Sequence, residues 1–226
     1  MFMTHNFGRG GRIGGLGAVL LLFSACTSVR IETAPDDHLR QKVHWSFQKE
    51  AVTIRIQADK SLNRSDGRSH TLVVGVLQLR DPNGLLPLAE NPDRAMETLA
   101  AGRGGPGILE VRRFVVSPGA AGTLRIDRLR HARYVGVIAG YSDYSPKTDI
   151  LLRPLSVKVI RSGLIFRSTH DRPAPAIVQI LLGSRHLLGV NMLKPEHKTP
   201  PPGKKETPAT GPAPGIRPLR GGDRLS

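Results

Sequence analysis

The sequence is poor in cysteine, in aromatic side chains and in acid. Cys26 is the one cysteine in 226 residues, so no internal disulfide can cross-link the chain. Whatever folds must be held by a core built without such staples. One Trp, three Tyr and six Phe are the whole aromatic complement, and none is set among Lys and Arg as a single-strand nucleic-acid platform would require. Acids number 18 against 33 Lys and Arg, a formal charge of +15, which implies anionic neighbours. No apolar run reaches the roughly 20 residues of a membrane-spanning helix. Neither HExxH nor Walker spacing occurs, and no metal or other cofactor is expected.

What is present begins with a leader. Arg9 and Arg12 precede Ile13 to Phe23, a stretch without charge, in the order of a secretory signal's n-region and h-region. Ser24 and Ala25 then lead directly into Cys26. This resembles the lipobox of bacterial lipoproteins, although Phe23 stands where Leu is usual. In that class the chain is cut before the cysteine, whose thiol carries diacylglycerol and whose amine is acylated. Acyl chains contribute about 0.8 kcal/mol per buried methylene, so several of them anchor durably. An acid after the cysteine favours the inner membrane in that class; here Thr27 follows, and the outer membrane is expected, facing the periplasm. A plain signal peptide with an incidental cysteine is the alternative. The expected organisation is a signal peptide over 1–25, a lipidated linker over 26–49, a folded body over 50–193 and a tail over 194–226.

The tail, Lys194 to Ser226, holds eight Pro, five Gly, seven Lys or Arg and three acids. It has too little apolar surface to offset the entropy of ordering and reads as disordered. Its charge suits attachment to peptidoglycan or a membrane surface, or no partner at all. Nucleic acid is not expected for an exported chain.

The body is dominated by short runs of period two. Val52, Ile54, Ile56 and Ala58 alternate with Thr53, Arg55, Gln57 and Asp59, a strand with one wet face. Thr71 to Arg80 is apolar on both faces and must be covered twice. Between them SLNRSDGRSH, residues 61–70, is a polar connection longer than a tight hairpin needs. Asn91, Pro92 and Asp93 start a helix that Gly102 ends, with Met96, Leu99 and Ala100 as its apolar stripe. GRGGPG, 102–107, reads as a flexible turn. Further strands are expected over Ile108–Val116, Thr123–Leu129, Tyr134–Tyr141 and within 154–166. SPGAAG makes the first two of these neighbours. Arg112, Arg113, Arg125 and Arg128 are expected to face water. IVQILL and RHLLGV, separated by Gly183-Ser184, form a hairpin of type II′. The fold class expected is all-β, an antiparallel β-sandwich with a small helical insertion.

No catalytic constellation stands out. Ser168-Thr169-His170-Asp171 has the letters of a triad, but adjacent residues point apart. His70, His131, His170 and His186 lack ligand spacing. Glu90, Asp93 and Glu97 sit in or beside the helix, where a pair of hydrolytic carboxylates is not held in a cleft. The chain is not expected to be an enzyme.

The order of the segments carries a resemblance. KSLN (60–63), VVGVLQLRD (73–81), the Asn91–Gly102 helix, FVVSPG (114–119) and ARYVGVIAGYSDY (132–144), behind a lipobox, resemble the TssJ (SciN) family of type VI secretion lipoproteins. The resemblance implies a transthyretin-like sandwich that holds a membrane complex at the outer membrane. It does so by binding the periplasmic C-terminal domain of TssM, and through it TssL. It further implies that the loop between the first two strands engages TssM. That loop is Ser61–His70, with Leu62 as apolar anchor and Asn63, Arg64 and Asp66 as polar contacts. The tail and the form of 150–175 depart from the family pattern. The competing reading is a cell-wall-binding or pilotin-like sandwich lipoprotein.

Overall fold

The computed structural model describes residues 37–162, 168–193 and 214–219, with side chains over 40–158, 172–193 and 214–219. The leader and Cys26 lie outside these residues, as does most of the tail. The strands are β1 (Gln48–Ala58), β2 (Leu72–Leu79), β3 (Ile108–Val116), β4 (Ala121–Arg128), β5 (Tyr134–Ala139), β6 (Ile150–Pro154), β7 (Val157–Ser162), β8 (Ser168–Pro173), β9 (Ala176–Leu182), β10 (Leu187–Leu193) and β11 (Ile216–Leu219). Short helices are α1 (Asp37–Lys42), α2 (Leu86–Glu90), α3 (Pro92–Ala101) and α4 (Pro146–Asp149).

One sheet has the order β10-β9-β1-β4 and the other β11-β3-β2-β5-β6, while β7 and β8 pair apart as a ribbon. The alternation along β1 puts Val52, Ile54, Ile56 and Ala58 in the core and leaves Arg55 and Gln57 exposed. They meet Val74 and Val76 of β2, Phe114 of β3 and Val135 and Val137 of β5 in the interior of the sandwich. On the outer face of the five-stranded sheet lies a second apolar cluster. Leu77, Leu79, Ile138, Ile150 and Leu152 are covered there by Leu85, Leu88, Ala95 and Leu99. This explains why β2 is apolar on both sides.

Helix α3 forms where the sequence predicts it. Asn91 Oδ1 accepts from Arg94 N at 3.2 Å, Pro92 opens the first turn, and Gly102 closes the helix at φ 65, where a side chain would be strained. Its buried residues are Ala95, Thr98 and Leu99, with Ala100 exposed, so the stripe is turned slightly from the predicted Met96, Leu99 and Ala100. Leu99 lies directly over Gly75, where a Cβ would come within 2.6 Å of it.

The structure corrects the sequence reading in several places. β3 and β4 are not paired; SPGAAG carries the chain from one sheet to the other. β1 pairs antiparallel with β4 but parallel with β9, so the sandwich is not wholly antiparallel. The β9–β10 hairpin turns through four residues, 183–186, closed by Gly183 N donating to His186 O at 3.0 Å. Residues 214–219 are not part of a structureless tail, because β11 pairs with β3 and Ile216 is buried. The linker is likewise shorter than expected: Val43 and Trp45 belong to the core, and Trp45 Nε1 donates to Arg40 O at 2.8 Å.

Two arginines expected in water are buried, Arg113 and Arg128. Arg128 lies 5.7 Å from the centre of the Trp45 ring and donates to Gln48 Oε1 at 3.0 Å. Arg113 Nη1 donates to Ala100 O at 2.6 Å and Leu99 O at 3.3 Å, satisfying carbonyls that the end of α3 leaves open. Arg113→Ala is therefore expected to destabilise by about 2 kcal/mol, as loss of a buried charged hydrogen bond does. Arg112→Ala, which breaks a partly exposed pair with Glu110 at 2.9 Å, should cost no more than about 1 kcal/mol. Urea midpoints of the two variants check the contrast.

Candidate functional site

The strands run between two ends of the sandwich. Residues 40–47 arrive at one end, beside the ends of β2 and β4 and the start of β5: His131 N donates to Trp45 O and Arg133 N to Leu79 O. At the other end lie the connections β1–β2, β3–β4, β5–β6 and β9–β10. We call these the N-terminal pole and the loop pole. β2 alone, eight residues long, separates them by roughly 25 Å at about 3.3 Å per residue.

The predicted contact loop, 61–70, is at the loop pole and is built rather than loose. Ser65 and Arg68 exchange backbone hydrogen bonds at 3.0 and 2.9 Å. Between them Asp66 and Gly67 stand at φ 50 and φ 75, the positive angles of a type I′ turn, which an Asp-Gly pair accommodates. His70 N donates to Leu62 O at 3.0 Å, and the His70 ring nitrogen Nε2 lies 3.3 Å from Ser65 O.

Three connections are tied into one platform. Arg64 N donates to Ser184 O at 2.7 Å. Asn63 Oδ1 accepts from Ser142 N and Oγ at 2.9 and 3.1 Å, while its Nδ2 donates to Thr71 O at 3.1 Å. Tyr141 Oη donates to Gly183 O at 3.0 Å. The buried Asp149 carboxylate accepts from Ser145 N at 2.8 Å and from Leu187 N at 3.0 Å, and lies 3.3 Å from His186 Nδ1. Burial, joined by the charge of Asp149, pushes the Tyr141 and Tyr144 phenols well above their ordinary range. Both therefore stay neutral at physiological pH.

The four residues singled out in this loop now separate. Leu62 is fully buried in the sandwich core and cannot anchor a partner. Asn63 is buried and occupied in joining loops. Arg64 and Asp66 are exposed at the tip, beside Arg68 and His70. A residue missed in the sequence is Leu188, 72% exposed at the start of β10, next to Gly183. Strand alternation was the available signal, since Leu187 points in and its neighbour must point out.

Among the described residues no three His, Cys, Asp or Glu could hold one metal ion. Side chains of residues 168–171 lie outside those described. Glu90, Asp93 and Glu97 are exposed. GRGGPG has the letters of a dinucleotide-binding turn, but it runs from the end of α3 into β3, the reverse of the strand-to-helix order that motif needs. It borders an open cleft of about 450 Å³ lined by Leu88, Arg94, Glu97, Thr98 and Arg103. No helix among the described residues is long and apolar enough to cross a membrane.

A comparison with curated proteins finds no match. Among solved structures, the lipoprotein TssJ1 of the type VI secretion system of Pseudomonas aeruginosa is similar at 20% identity. The match covers 67% of this chain and 98% of that one, with a TM-score of 0.40. Lip, a membrane-bound component of the type VI secretion system of Serratia marcescens, shares 21% identity over 67% and 99% of the two chains, TM-score 0.43. A structure described as the TssM C-terminal domain from EAEC matches at 16% identity over 64% and 98%, TM-score 0.41. Residues 50–158 match the family model T6SS-SciN, described as type VI secretion lipoprotein, VasD, EvfM, TssJ. This family is one of structural lipoproteins and not of enzymes. The matched residues run from within β1 to the start of β7, and over them the chain is similar to the type VI secretion lipoprotein family.

Proposed function

We propose that the chain is an outer-membrane-anchored scaffold, tethered through Cys26, whose loop pole binds the periplasmic domain of TssM. Through TssM it would be linked to TssL. The observation that carries this reading is the position of the loop platform. It stands at the end of the sandwich opposite the arrival of residues 40–47, so a tether at the N-terminus attaches at the far end and leaves the platform unobstructed. Its cross-linked backbone means that little ordering entropy remains to be lost on docking, which favours tight binding. Arg64 and Asp66 supply opposite charges at the tip, and Leu188 supplies an apolar surface that the sandwich does not use.

The test is a titration of the purified chain against the periplasmic domain of TssM. Arg64→Glu and Leu188→Asp are each expected to weaken binding about 10-fold or more, roughly 1.4 kcal/mol. Leu62→Ala should instead lower stability by about 3 kcal/mol, as truncation of a buried leucine does. Binding unchanged in both surface variants would remove the loop pole from the interface. No binding by the unaltered chain would favour a cell-wall or pilotin-like role.

Asn63→Ala separates preorganisation from contact. It leaves Ser142 N and Thr71 O without their partner, at a cost of about 1–3 kcal/mol. Amide exchange in residues 64–70 and 142 should accelerate, and TssM binding should weaken although Asn63 itself is covered. For the anchor, Cys26→Ser is expected to move the protein from the outer-membrane fraction to the soluble periplasm and to stop secretion. Retention in the membrane fraction would overturn the lipid reading.

A further inference from the structure

The N-terminal pole concentrates cations around one exposed aromatic ring. His131 N donates to Trp45 O at 2.9 Å, Arg133 N to Leu79 O at 2.8 Å, and Leu155 N to Arg133 O at 2.8 Å. These bonds lay the end of β2, the β4–β5 turn and the end of β6 against segment 44–47. His44, Arg80, Arg130 and His131 are exposed there, and Arg133 is half-buried. They share one electrostatic field. Local desolvation and the charges of Arg80, Arg130, Arg133 and His44 together hold the His131 imidazole below its ordinary value.

The acids near this pole keep their charge but are each engaged in hydrogen bonds or ion pairs of their own. Asp127 Oδ1 accepts from Glu50 N at 2.8 Å, and the Glu50 carboxylate lies 4.0 Å from Arg125. Asp81 Oδ1 accepts from Asn83 N at 2.8 Å, and Glu110 holds Arg112 and Gln78. Phe47, within the same segment, is 53% exposed, although an aromatic ring of a folded sandwich would ordinarily be covered.

We propose that this pole rests on the anionic phospholipid surface of the membrane, with Phe47 entering the headgroup layer among the cationic side chains. The inference rests on the reading that Cys26 is the lipid anchor. Ten residues lie between Cys26 and Asp37, a reach of at most about 40 Å, so the tether permits contact but does not enforce it. Attraction between the cluster and headgroups fades beyond about 8 Å at physiological salt, so it acts only once the pole touches down. An aromatic ring beside cations is the composition that sits at a bilayer's interface. The contact fixes which way the sandwich stands: it directs Arg64, Asp66 and Leu188 outward, where a freely pivoting tether would let them sample every direction.

The lipidated full chain, purified from membranes, tests this after reconstitution into vesicles containing brominated lipid. Phe47→Trp serves as the probe, its signal taken relative to the unaltered protein, in which Trp45 is buried. Quenching is expected in vesicles with phosphatidylglycerol, with at least a twofold loss in purely zwitterionic vesicles or in 0.5 M salt. Adding Arg80→Glu and Arg130→Glu should remove the anionic preference; neither side chain is buried, and circular dichroism checks the fold. Equal quenching in zwitterionic vesicles, insensitive to charge reversal, would overturn the proposal. So would absence of quenching in protein that still floats with vesicles, leaving the anchor intact. Failure to float with zwitterionic vesicles in high salt would instead overturn the anchor; flotation with anionic vesicles, and its loss on charge reversal, then reads the cluster alone.

Discussion

β2 has to bury both of its faces, and most of the architecture answers that demand. Leu72, Val74 and Val76 point into the sandwich, while Leu77 and Leu79 point out of it into a second apolar cluster. A strand of this kind cannot stand at an edge, and β3 and β5 flank it. Nor can its outer face meet water, so the chain between β2 and β3 returns across it as the short 3₁₀ turn, α2 and α3. The fit is close enough that position 75 has no room for a side chain beneath Leu99. Even the polar residue on this strand is absorbed. Gln78, fully buried, donates to Asp127 O at 2.8 Å and accepts from Leu129 N at 3.0 Å, joining the central strand to the end of β4.

With both faces of that sheet covered, its strand ends and connections lie at the two poles. The N-terminal pole is made of strand ends and cations; the loop pole is made of connections tied by Asn63, Tyr141 and Asp149. Buried polar side chains there carry the ordering that apolar contacts cannot supply to exposed turns. The length of the 61–70 connection, more than a hairpin needs, follows from the same requirement. β1 and β2 lie in different sheets, so the connection has to cross between layers and carries a small turn of its own on the way.

Local signals in the sequence were legible where local physics decides. The alternation of β1, the Asn91 cap and the Gly102 stop all stand where residue chemistry puts them. Sheet membership was not legible, because a turn such as SPGAAG is equally able to pair two strands or to pass one across the sandwich. Leu62 misled for a related reason. In a polar loop a lone leucine reads as a surface anchor, but the loop dips at this residue into the core, and the exposed leucine of the platform is Leu188, at the start of β10. β11 was hidden by composition: eight prolines in the tail mask a four-residue strand whose one buried side chain is Ile216, and Pro218 is tolerated because the strand lies at an edge.

The net charge of +15 is likewise a sum over unlike roles, and this limits what it says about partners. Arg113 closes a helix, Arg128 stacks on Trp45, and Arg153 Nε donates to Val190 O at 2.7 Å across the gap between β6 and β10. Arg40 lies 5.6 Å from the centre of the Tyr134 ring and donates to Leu155 O at 3.2 Å. These four hold the sandwich together and are not available to a ligand. Among the described residues, exposed cations stand at both poles, where they face different chemistry. At the loop pole Arg64 and Arg68 stand beside Asp66, a mixed-sign arrangement suited to selecting one protein surface. At the N-terminal pole Arg80, Arg130 and Arg133 gather with Asp81 held by the Asn83 amide, an arrangement of net positive charge that favours anionic surfaces. A basic chain can thus carry one specific face and one unspecific face, and the strands between keep them apart.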